Sequence, residues 1–112
     1  MDTGACPLEI TVAETKQRLE SQPGAVELID VREPFERELC SISGSRHIPM
    51  RQIPEQVSTL PKDRHLLIYC HHGGRSLRVT QFLRAQGFTQ VTNVGGGIDA
   101  WAEQIEPGMK RY

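Results

Sequence analysis

Residues 65–76 read His65-Leu66-Leu67-Ile68-Tyr69-Cys70-His71-His72-Gly73-Gly74-Arg75-Ser76. Four apolar or aromatic residues follow His65 without interruption, and a short run of this kind reads as a fully buried strand. The strand leads straight into Cys70. Gly73-Gly74 then punctuates the chain. From about Arg75 to Gln86, Val79, Phe82 and Leu83 recur at helical spacing, and Gly87 is placed to stop the helix. Strand, glycine-bearing loop and helix in succession are the start of a parallel crossover unit.

The flanking sequence repeats the alternation. Thr11-Val12-Ala13-Glu14 has the spacing of a capping box, so a helix is expected from there to about Gln22, ended by Pro23-Gly24. Val26 to Val31 reads as a buried strand. Pro34 suits the first turn of a short helix reaching Leu39 or Cys40. Ser45 to Ile48 reads as a short strand stopped by Pro49. A helix is expected between Gln52 and Leu60, with Ile53, Val57 and Leu60 on one face and Pro54 limiting its start. Val91 to Val94 is a further strand. Gly95-Gly96-Gly97 opens a last helix in which Ile98, Trp101, Ala102 and Ile105 share a face. The expected fold class is α/β: a central, mainly parallel sheet of about five strands with helices on both faces. The expected organisation is one domain over 1–112, with its core at about 8–106 and an irregular tail at 107–112. In such sheets ligands gather at the carboxyl ends of strands. Asp30-Val31-Arg32 and the Cys70 loop both fall at that edge.

Length and composition fit this reading. A chain of 112 residues with 38% hydrophobic residues can bury a core without a disulfide or metal staple. Its net charge of −1 gives no sign of a nucleic-acid or anionic-membrane surface. No apolar run approaches the roughly 20 residues of a membrane span. The start of the chain lacks the pattern of a secretory signal, so a cytoplasmic setting is expected. Cys6, Cys40 and Cys70 are odd in number and far apart, which is not a disulfide framework.

The chemistry concentrates at Cys70. Backbone N–H groups of a tight loop form an anion-binding nest, and the following helix adds partial positive charge at its N-terminus. Gly73 and Gly74 are expected to supply the positive φ that such a cradle requires. Arg75 adds a permanent cation. This setting favours a thiolate over a thiol. It would also hold a persulfide or an anionic substrate. Ser76 is read as a helix cap or a contact to substrate. His71 and His72 are read as rim residues or backbone donors, since three adjacent residues with Cys70 do not converge easily on one tetrahedral ion. No metal is expected at these residues. Asp30 and Arg32 are read as support for the site, through a hydrogen bond or ion pair. Trp101 is read as core, Cys6 as exposed and incidental, and Cys40 as a buried cysteine, with a resolving thiol as its alternative.

Five segments together resemble the rhodanese family over about Leu8 to Trp101. They are Asp30-Val31-Arg32-Glu33-Pro34, Ser45-Arg46-His47-Ile48-Pro49, Cys70 to Ser76, Leu83 to Phe88, and Gly95 to Trp101. The chain departs from the family pattern at Cys40-Ser41-Ile42-Ser43-Gly44, where only Ile42 and Gly44 survive. The resemblance implies a sulfurtransferase. Cys70 would take a sulfane sulfur from a small anionic donor such as thiosulfate and pass it to cyanide, a small thiol or a protein thiol, through a persulfide, with no metal or organic cofactor needed. His71, His72, Gly73, Gly74, Arg75 and Ser76 would form the substrate loop. The tail from Ile105 to Tyr112 resembles the endings of rhodanese domains joined to activating enzymes. That points to the alternative of a carrier module in a protein sulfur relay. A non-enzymatic binding domain is a further alternative. A cysteine phosphatase is a last alternative: phosphatases of related fold have a loop one residue longer than the four residues between Cys70 and Arg75, and the spacing argues against that reading.

Overall fold

A computed structural model describes residues 6–112. The strands are β1 (Glu9–Ile10), β2 (Val26–Asp30), β3 (Arg46–His47), β4 (His65–Tyr69) and β5 (Val91–Val94). They form one sheet in the order β1-β5-β4-β2-β3, and every pairing is parallel. The helices are α1 (Val12–Ser21), α2 (Pro34–Leu39), α3 (Ile53–Gln56), α4 (Gly74–Ala85) and α5 (Gly97–Gln104). Among the described residues no helix is long and apolar enough to cross a membrane.

β4 lies at the centre of the sheet, buried along its whole length. Its side chains alternate between two cores. Leu66 and Ile68 pack with Ile53, Val79 and Leu83 on one face. Leu67 and Tyr69 pack with Ile10, Val12, Ile98 and Trp101 on the other. A parallel strand covered on both faces has no solvent side, hence its uninterrupted apolar sequence. The alternation carries Cys70 to the face that holds α4.

The sheet also fixes where the site falls. From β2 the chain moves outward to β3, and from β4 it moves the opposite way to β5. The crevice between the carboxyl ends of β2 and β4 is therefore a topological switch point. Arg32 follows the first strand, and Cys70 follows the second.

Local signals hold in several places. The Thr11 hydroxyl accepts the Glu14 N–H at 3.1 Å, and Glu14 Oε1 accepts the Thr11 N–H at 2.9 Å, completing the capping box of α1. A cap of this kind contributes about 1 kcal/mol. Other expectations need correction. The segment 52–60 is not one helix. It divides into a 3-10 turn at Met50–Gln52, the four-residue α3 and a second 3-10 turn at Val57–Thr59. Ile53 and Leu60 are buried all the same. The strand expected over 45–48 shortens to Arg46–His47, and β1 was not anticipated. Trp101 packs in the core as expected.

Candidate active site

The loop 70–73 is held from below by the start of α5. The Ile98 N–H donates to the Cys70 carbonyl at 2.9 Å, and the Asp99 N–H donates to the His71 carbonyl at 3.0 Å. Gly97, at φ +59°, passes so close that a Cβ would collide with both carbonyl oxygens. From above, Gly73 at φ 112° caps α4 in the left-handed region, where only glycine sits without strain. Gly74 is different from expectation: it is the first helical residue, its φ is not positive, and open space surrounds its Cβ position. Ser76 likewise does not cap the helix, because Gly73 holds that position.

This backbone brings three donors to the Cys70 sulfur. Sγ accepts from the Gly73 N–H at 3.1 Å, the Ser76 N–H at 3.4 Å and the Ser76 hydroxyl at 3.3 Å. Ser76 is itself fully buried. Cys70 is 1% exposed and also borders the apolar cluster with Val31 and Val79, so the sulfur sits at a boundary between hydrocarbon and amides.

Arg75 does not sit over the sulfur as a bare cation. Its guanidinium makes a two-pronged pair with Glu36 at 2.7 and 2.9 Å. Bidentate pairs of this kind fix orientation as well as charge. The Arg75 fork, with burial opposing it, holds the Glu36 carboxyl down at about 2. The same contact pushes the Arg75 guanidinium up. Glu36 also accepts the Glu33 N–H at 2.9 Å and the Tyr112 hydroxyl at 2.7 Å.

Asp30 and Arg32 pair with each other. Arg32 donates through Nε and Nη2 to the two Asp30 oxygens at 2.9 and 2.8 Å, and both side chains are fully buried. Burial pushes the Asp30 carboxyl up, but Arg32 and Arg37 outweigh it and hold it below the usual carboxylate range. Arg37 and the Tyr69 hydroxyl donate to Asp30 at 3.1 and 3.2 Å. Arg32 Nη1 in turn donates to the Tyr112 hydroxyl at 2.9 Å. A continuous network thus runs from Arg75 through Glu36, Tyr112 and Arg32 to Asp30 and Arg37. It links three guanidinium groups and two carboxylates, with Arg75 and Glu36 paired at the end nearest the loop.

His71 lies on the rim, its ring stacked between His72 at 3.9 Å and Tyr112 at 3.8 Å. Burial, with His72 adding to it, lowers its pKa. Ligand atoms of His71, His72 and Asp99 lie within 4.8 Å of one another. Both Asp99 oxygens, however, accept from Arg111 at 3.1 Å, and a cation would have to displace that arginine. Cys40 is half-buried, with its sulfur 3.9 Å from Arg32 Nη1. Cys6, read as exposed, is half-buried, and its carbonyl accepts Arg84 Nη2 at 2.8 Å.

Sequence reasoning missed Glu36 and Tyr112. A signal for Glu36 was present: an arginine next to a reactive loop needs a carboxylate, and the helix after Asp30-Val31-Arg32 offers one at the same sheet edge. Tyr112 gave no such signal.

Comparison with known proteins shows the family. The Rhodanese-like domain family matches residues 11–104. A sulfurtransferase of Allochromatium vinosum is 39% identical over 99 residues, covering 88% of this chain and 92% of that protein. The chain is also 39% identical over 90 residues to the chloroplastic rhodanese-like/PpiC domain-containing protein 12 of Arabidopsis thaliana, but spans only 30% of its length. A crystal structure of a rhodanese-related protein from Thermoplasma volcanium superposes with a TM-score of 0.79 at 33% identity, over 90% of this chain and 96% of that one. With this match running through both the sheet and the cysteine loop, the chain belongs to the rhodanese-like domain family.

Proposed function

We propose that the protein is a sulfurtransferase that accepts a sulfane sulfur from thiosulfate on Cys70 and delivers it to a thiophilic acceptor. The observation that carries this reading is the convergence of the Gly73 N–H, the Ser76 N–H and the Ser76 hydroxyl on one sulfur atom. Hydrogen bonds to a charged acceptor contribute about 1.5–3 kcal/mol each when well formed. Three donors aimed at one sulfur would stabilise the negative charge carried by the attacking sulfur and by the persulfide.

The thiolate attacks the outer sulfur of thiosulfate. A Cys70 S–S bond forms while the sulfur–sulfur bond of thiosulfate breaks, and its electron pair leaves on sulfite. The enzyme then holds a persulfide anion, whose charge the same donors stabilise. Cyanide or a thiolate next attacks the outer sulfur of that persulfide. The electron pair of the S–S bond returns to Cys70, and the sulfur departs on the acceptor. No proton transfer by a side chain is required, which fits a loop whose donors are amides and a hydroxyl. With Cys70 1% exposed, the donor must present only its terminal sulfur at the loop mouth.

Steady-state transfer from thiosulfate to cyanide tests the reading. Double-reciprocal plots at several cyanide concentrations should be parallel, as ping-pong kinetics demands. Cys70→Ser should abolish transfer, and transfer that survives in this variant would overturn the assignment.

A further inference from the structure

Residues 107–112 lack regular secondary structure, yet the end of this segment enters the layer behind the cysteine loop. The Tyr112 hydroxyl donates to Glu36 Oε2 at 2.7 Å and accepts from Arg32 Nη1 at 2.9 Å. Its ring lies on His71 at 3.8 Å with an interplanar angle of 6°. One residue earlier, Arg111 grips Asp99, whose N–H holds the His71 carbonyl.

The hydroxyl joins Arg32 to Glu36. Arg32 is fully buried. Without Tyr112, its Nη1 keeps only the Glu36 carbonyl at 3.3 Å and the Cys40 sulfur at 3.9 Å among the described residues. A buried donor left short of partners is costly, so the hydroxyl has a defined place. Glu36 Oε2 is shared between this hydroxyl and Arg75 Nη2. The plane of the carboxylate, and with it the fork of Arg75, is set from both sides. Arg75 lies between the two residues whose N–H groups reach the sulfur, apart from Gly74. His71 directly follows Cys70.

We propose that Tyr112 is a positioning residue for the Cys70 loop. Its hydroxyl fixes Glu36 and through it Arg75, its ring fixes His71, and the loop amides stay aimed at the sulfur. The catalytic consequence rests on the sulfurtransferase reading above; the structural consequence does not. Tyr112 is 37% exposed and stands outside both buried clusters, so its variants are expected to fold.

The full chain should be compared with Tyr112→Phe and Tyr112→Ala in two measurements. In amide NMR spectra, the Gly73 and Ser76 proton resonances should move upfield in both variants, more in Tyr112→Ala, as their hydrogen bonds to sulfur lengthen. With thiosulfate and cyanide, kcat should fall about fivefold in Tyr112→Phe, the size of one neutral hydrogen bond. It should fall about twentyfold in Tyr112→Ala, where the ring contact is lost too. KM for thiosulfate should stay within about twofold, because an orienting effect is expressed in the transition state. Unmoved Gly73 and Ser76 resonances would overturn the proposal, and so would a kcat per folded molecule at or above that of the parent. If the parent itself transfers no sulfur, the function proposed above falls, and the NMR result alone judges Tyr112.

Discussion

Two glycine turns lie side by side at the carboxyl edge of the sheet, and they serve opposite ends. After β4, Gly73 caps α4 with φ 112° and ψ −8°. After β5, Gly96 caps α5 with φ 81° and ψ −15°. Each turn thus leaves a strand, enters the left-handed region at a glycine and presents helix N-terminal amides. The amides of the second turn are consumed within the protein: those of Ile98 and Asp99 donate to the carbonyls of Cys70 and His71. In the first, the Gly73 and Ser76 amides meet a sulfur atom instead. A glycine turn before a helix is therefore a chemical site only where its donors are not already taken by backbone oxygen. The second turn is the support on which the first is built.

The largest effect should come from the support. In Gly97→Ala, the new methyl group meets the Cys70 and His71 carbonyls, and the residue is held at φ +59°. A strained backbone position combined with a backbone clash is expected to cost about 3–4 kcal/mol, and thermal unfolding measures it. Activity should fall with stability, since the loop must move. A fully stable, active Gly97→Ala protein would break the distinction between the two turns.

Acid should act next, through Glu36. Its folded pKa of about 2 lies below the unfolded value near 4.5. A depressed carboxylate stabilises the fold above its unfolded pKa, and that contribution is lost as pH falls toward the folded value. Unfolding free energy should therefore decline between about pH 5 and pH 2. Glu36→Gln should lower stability at pH 7 and flatten this part of the profile. A profile of unchanged slope would show that the Arg75 pair contributes little.

Ser76→Ala sharpens the comparison within the first turn, because it removes one of the three donors and leaves the backbone in place. The residue is inside α4, where alanine is favourable. Stability should be nearly unchanged, while kcat falls about tenfold, as for one hydrogen bond to a charged group. The smallest effect is expected at Gly74. Its Cβ position is open and its φ is not positive. Gly74→Ala should raise stability by about 0.5 kcal/mol through the unfolded chain. A large loss of activity in that variant would mean that the donor passes over the Gly74 Cα.

Much of this arrangement was legible in the sequence because it is local. The apolar run before Cys70 gave β4 its bounds, Thr11 and Glu14 gave the start of α1, and Asp30 and Arg32 are two residues apart. What was missed depends on residues far apart in the chain. β1 is two residues long and exists through its pairing with β5, with Glu9 opposite Asn93. Glu36 meets Arg75 across 39 positions, and Tyr112 meets Glu36 across 76. The segment after Pro49 failed for a local reason. Proline at position 54 lacks an N–H, and the chain there settles into short turns that still bury Ile53 and Leu60. Gly74 was misjudged because adjacent glycines look alike in sequence, whereas only Gly73 occupies the left-handed cap.

The sulfur of Cys70 is where the two turns meet, and its capacity to carry a second sulfur can be read directly. Intact-protein mass spectrometry should be run on the full chain after brief exposure to thiosulfate, and again after cyanide is added. The account predicts a gain of one sulfur mapped to Cys70, lost on addition of cyanide. A chain that stays at its original mass while folded, or that gains sulfur on Cys6 or Cys40 with Cys70 unmodified, would contradict it.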